Sequence, residues 1–96
     1  MSTPPRGPQQ GSIQVTASDE TSRGRYSNSM LVTHTPEEFI LDWLLNSPTG
    51  AQLVSRVIVS PAHMKRILTA LADNLRKFEE KYGAIKMPDS NDSVFH

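Results

Sequence analysis

Between Ser60 and Gly83 apolar residues recur at alternating steps of four and three, as Met64, Leu68, Leu71, Leu75, Phe78 and Tyr82. That period draws a single stripe along a helix and does not suit the two-residue alternation of a strand. Both ends are marked. Ser60 offers a capping oxygen, Pro61 occupies the first helical position, where its missing N–H costs nothing, and Gly83 suits the left-handed conformation that ends a helix. At about 1.5 Å per residue the stripe runs for roughly 30 Å and needs a surface to lie against. Its heptad spacing lasts about three repeats, the lower bound for a coiled coil. Packing on a sheet is the more frequent meaning of such a stripe; pairing with its own copy would leave the sheet to a partner.

Two segments upstream alternate in the manner of strands. From Tyr26 to Thr35, Tyr26, Met30 and Val32 share one parity with Asn28 and His34, and Ser27, Ser29, Thr33 and Thr35 take the other with Leu31. From Gln52 to Val59, β-branched residues dominate, with Leu53, Val57 and Val59 opposing Val54 and Ile58. Residues 36–46 fit two patterns. Thr35-Pro36-Glu37-Glu38 matches a capping box ahead of a helix carrying Phe39, Ile40, Trp43 and Leu44 on one face. Equally, Phe39, Leu41, Trp43 and Leu45 alternate with Glu38, Ile40, Asp42 and Leu44 as in a strand that ends at the turn Asn46-Ser47-Pro48-Thr49-Gly50.

The flanks differ in composition from this core. Residues 1–24 hold three of the seven prolines with Gly, Gln, Ser and Thr, and read as a mostly disordered tail. Ile13 and Val15 alternate with polar residues and allow a short edge strand over 12–17. Residues 84–96 read as a polar second tail, so 25–83 is the folded part. A domain of about 60 residues buries only about 60% of its chain's surface, which makes oligomerisation the first physical expectation.

With 96 residues, zero formal net charge and no cysteine, the chain is one small domain without disulfides or thiolate metal sites. Its longest apolar runs, among them Phe39–Leu41 and Trp43–Leu45, are far shorter than a membrane span of about 20 residues. The N-terminal residues lack the apolar core of a signal peptide, so the expected compartment is the cytoplasm.

Tyr26-Ser27-Asn28, the run from Pro36 to Trp43, the run from Arg56 to His63, and Tyr82-Gly83 resemble the landmarks of a small bacterial family, domain of unknown function 3467. The likeness covers about residues 26–85. These motifs are apolar and turn patterns that carry no chemistry. The resemblance implies a β-meander followed by a long helix, similar in outline to half of the SecB export chaperone, and it favours a strand for 36–46. The expected class is therefore α+β: an antiparallel meander of three strands, four if 12–17 joins, with the C-terminal helix packed across one face. Phe39, Leu41, Trp43 and Leu45 would meet the helix stripe. On the other face Ile40, Leu44, Val54 and Ile58 form the candidate interface, because an uncovered apolar sheet face usually binds something.

Chemistry is sparse. His34 and His63 would need to meet a carboxylate such as Glu37 or Glu38 to hold a metal or a proton, and His63 in a first helical turn reads as a surface residue. Ser60 has no glycine elbow or placed base, and its capping role accounts for it. Arg56 in an apolar strand calls for a partner, and Asp42 is the natural one, a structural ion pair. The helix carries Lys65, Arg66, Arg76, Lys77 and Lys81 against Asp73, Glu79 and Glu80, too even a balance for a phosphate-tracking surface. The expectation is a non-enzymatic, homo-oligomeric binding or scaffold module needing no cofactor or metal, with a protein or peptide as partner and a SecB-like adaptor role within its range. The alternative is a nucleic-acid-associated accessory protein that uses the basic positions of the helix.

Overall fold

The computed structural model describes residues 13–88. Its elements are α1 (Asp19–Arg23), β1 (Ser29–His34), β2 (Phe39–Ser47), β3 (Gly50–Val59) and α2 (Pro61–Tyr82). The three strands pair as an antiparallel meander in the order β1-β2-β3, and with the long helix after them the class is α+β.

The ambiguous stretch is a strand, and the turn before it shows why it imitates a helix start. Thr35 Oγ1 accepts from the backbone N–H groups of Glu37 and Glu38, both at 3.2 Å, as a helix cap would. Here, however, the Thr35 N–H donates to the Glu38 carbonyl at 2.9 Å and His34 pairs with Phe39, so the same hydroxyl closes a hairpin. At the second hairpin Ser47 pairs with Gly50, whose φ of 133° favours a residue without a Cβ. Ser47 Oγ braces that turn by donating to the Gly50 carbonyl at 3.1 Å.

Side chains upstream of β1 extend its pairing. Asn28 acts like a strand residue through its amide: Nδ2 donates to the Asn46 carbonyl at 3.0 Å and Oδ1 accepts from the Asn46 N–H at 2.8 Å. Ser27 Oγ donates to the Leu44 carbonyl at 2.8 Å. Residues opposite one another in the ladder share a face. One face gathers Met30, Val32, Phe39, Leu41, Trp43, Val57 and Val59; the other gathers Leu31, Ile40, Asp42, Leu44, Arg56 and Ile58. Among the described residues Leu41, at the centre of the first face, is the one buried hydrophobic residue, with 5% of its surface exposed.

Two features depart from the sequence-based expectation. Residues 13–17 carry no strand; instead a single helical turn, α1, follows, capped by Ser18 Oγ on the Thr21 N–H and closed by Gly24. Its Asp19 and Glu20 suit the positive end of a helix, a local signal that has no apolar periodicity to announce it. The second departure concerns α2, which is not packed across the sheet. Leu68 and Leu71 are 59% and 58% exposed, and Leu75, Phe78 and Tyr82 are exposed as well. The cause is covalent. β3 ends at Val59 and α2 begins at Pro61, so Ser60 alone, in extended conformation, links them. Connections that fold a helix back onto its own strand usually take two to six residues. The helix therefore projects, and the radius of gyration is 17.1 Å against the roughly 11–13 Å of a compact domain of this size.

Leu41→Ala is expected to cost about 2–5 kcal/mol, because it removes the one buried aliphatic side chain from the middle of the sheet. Urea denaturation followed by circular dichroism measures this, and a cost below about 1 kcal/mol would place the core elsewhere.

Candidate functional site

On the sheet face of Ile40 and Ile58, which are paired across β2 and β3, the next pair is Asp42 with Arg56. Arg56 Nε donates to Asp42 Oδ1 at 2.6 Å and Nη2 donates to Oδ2 at 3.0 Å. This two-point geometry fits the planar guanidinium fork and leaves the carboxylate little freedom. The pair is lopsided in exposure, 55% for the Arg56 side chain and 12% for that of Asp42. The Arg56 hydrogen bond is the main reason that the Asp42 carboxyl lies below its ordinary range; partial burial opposes that shift and the Arg56 charge reinforces it.

Around the pair stand Leu31 opposite Asp42, Ile40 and Ile58 on one side, and Leu44 and Leu53 on the other. Of the four residues expected to form an interface, three thus share this face. Val54 is displaced from it by a bulge: Trp43 pairs with Ser55 and Leu44 with Leu53, so Val54 is the extra residue on β3. It lines instead a cleft of about 700 Å³ beside α1, together with Tyr26, Trp43 and Ser55. Leu31 and Leu53 were not foreseen as members of this face, because membership depends on cross-strand register, and a bulge changes register without an obvious mark in the sequence. Leu31, Leu53 and Ile58 are all exposed.

The other candidates are dispersed. The ring of His34 packs on Phe39 at 5.5 Å, and His63 serves the fold through its backbone N–H, which donates to Ser60 Oγ at 3.1 Å. Among the described residues no three His, Asp or Glu side chains gather as a metal site would require. On α2, Arg76 donates to both Asp73 and Glu80, and Lys77 lies 3.3 Å from Asp73, which neutralises much of the helix's charge along its own surface. No helix among the described residues is long and apolar enough to cross a membrane.

Residues 1–87 match the family described as a protein of unknown function, DUF3467. The chain belongs to that family. No curated protein and no solved structure matches it. The DUF3467 landmarks now have physical roles: Ser27 and Asn28 lock β1 to β2, Asp42 and Arg56 tie β2 to β3, and Ser60 caps α2.

Acid should weaken this DUF3467 fold through Asp42. An unfolded aspartate titrates near 3.9, and the folded carboxyl lies lower, so between the two values the unfolded chain holds more protons. The stabilisation is complete above about pH 4 and is lost as pH falls through the depressed value. Asp42→Asn should therefore be less stable than wild type at neutral pH, with the gap narrowing below pH 4 in urea titrations. A gap that stays constant down to about pH 2 would contradict this role.

Proposed function

We propose that the protein is a non-enzymatic, homo-oligomeric binding or scaffold module that uses an apolar sheet face for self-association or for a protein partner. The observation that carries this reading is the set Leu31, Ile40, Leu44, Leu53 and Ile58 around the Asp42–Arg56 pair, on a sheet that its own helix does not cover. Contiguous apolar surface of this kind is uncommon on soluble monomers and usually marks an interaction site. The surrounding chemistry points the same way: the two charged groups at the centre of this face, Asp42 and Arg56, are committed to each other, which suits recognition. An adaptor role like that of the SecB chaperone is consistent with such a face and is part of the proposal.

The test is solution mass together with partner capture. Wild type is expected above its formula mass of 10.7 kDa at micromolar concentration. Ile58→Lys, at a position already half exposed, should leave the circular dichroism spectrum unchanged while weakening either assembly or capture of a host protein. A folded Ile58→Lys variant with the mass and the captured partners of wild type would rule out this face as the interaction surface.

A further inference from the structure

The apolar stripe of α2 is left without a cover by the fold, and its flanks say what covers it. We infer that α2 pairs antiparallel with α2 of a second copy, about a twofold axis near Asp73. This rests on the self-association proposed above but assigns it to α2, which leaves the sheet face to a protein partner. In that register Leu68 meets the partner's Phe78, Leu71 meets the partner's Leu75, and Met64 meets the partner's Tyr82. Every large residue of the stripe then has a large partner, and the list is the same read from either copy, as a twofold interface demands.

The charges decide direction. The heptad pattern puts Lys65, Ala72 and Glu79 along one flank of the stripe and Ile67, Asn74 and Lys81 along the other. With antiparallel helices like flanks face each other, so Lys65 meets the partner's Glu79 and Glu79 meets the partner's Lys65, with Ala72 against the partner's Ala72 at the centre. Ile67 meets the partner's Lys81, whose methylenes can cover it. A parallel pair would set Ile67 against the partner's Ala72 and Asn74 against the partner's Glu79, with no opposite charges matched. Lys65 and Glu79 are also uncommitted: among the described residues the helix's ion pairs use Asp73, Arg76, Lys77 and Glu80, which lie on the back. Glu79 Oε2 accepts from the Ile85 N–H at 2.9 Å, which leaves Oε1 for the partner.

Area supports a stable contact. Leu68, Leu71, Leu75, Phe78 and Tyr82 are 47–66% exposed, on the order of 500 Å² per copy for side chains of this size. Met64, Ile67 and the flanking methylenes bring this toward the roughly 800 Å² per partner of a standard interface.

Sedimentation equilibrium on the full chain tests the pairing. Lys65→Glu or Glu79→Lys alone places like charges together at both ends and should raise the dimer dissociation constant about tenfold. The Lys65→Glu/Glu79→Lys double variant should recover wild-type affinity, and the two single variants mixed should form a heterodimer. Because the chain has no cysteine, a short bismaleimide linker should join copies carrying Ala72→Cys and leave copies carrying Lys81→Cys unlinked, since antiparallel α2 helices separate the Lys81 positions by about 20 Å. A monomer in wild type would overturn both the pairing and the self-association it rests on. A dimer indifferent to both charge reversals, or linked equally at both positions, would overturn the helix pairing alone.

Discussion

Ser60 is the only residue between the last strand and the helix, and most of the architecture depends on that shortness. Its extended backbone and its cap on the His63 N–H start α2 at once, pointing away from the sheet. A longer link would let the stripe of Leu68, Leu71 and Leu75 fold onto Leu41 and Trp43 and close a self-sufficient core. As it stands, the chain forms two amphipathic units, a three-stranded sheet and a helix, neither of which covers the other. Under the proposed self-association, folding and assembly would be coupled, because the apolar area a domain of this size must bury would become available between copies.

The separation of sheet and helix also explains how much was legible in the sequence. The helix was readable because its determinants are local: a cap, a proline, a 3.6-residue period and a terminal glycine, each visible within a few residues. The strands were readable as alternation, although Thr35-Pro36-Glu37-Glu38 supports a hairpin and a helix start with the same hydroxyl contacts. Docking of the helix was not legible, since the stripe states that a surface is needed and not which molecule supplies it. The pair Asp42–Arg56 was legible because a lone charge in an apolar strand demands a partner. Leu31 and Leu53 were not, since their place on the face depends on the register across two hairpins and a bulge. The turn of α1 has no apolar period and is held by Ser18, by two acids and by Gly24, signals too short to stand out from a polar stretch.

The DUF3467 landmarks are accounted for by the mechanics of the fold. Ser27 and Asn28 add side-chain bonds beside the backbone bond from the Asn28 N–H to the Leu44 carbonyl, and this anchors β1, an edge strand of six residues, to β2. Arg56 performs the same task between β2 and β3 from the opposite edge. Both edges are thereby tied to the central strand by side chains as well as by backbone bonds. The bulge at Val54 and the charge of Arg56 also make the long edge β3 a poor template for another strand.

The ion pair limits what the sheet face can accept. An apolar partner laid flat over Arg56 would remove water from a guanidinium whose outer edge is half exposed, and burying a charge in that way costs more than the covered apolar area returns. A partner must therefore supply an acceptor at the centre, such as a backbone carbonyl or a carboxylate, with apolar groups reaching Ile40 and Ile58 on one side and Leu44 and Leu53 on the other. The stripe of α2 has no such charge at its centre; its charges lie along the flanks and match those of an antiparallel copy. The two uncovered surfaces thus differ in kind. On the readings proposed above, the helix would take its own copy and the sheet face a ligand with a polar centre, so a dimer joined through its helices would keep both sheets available for a partner.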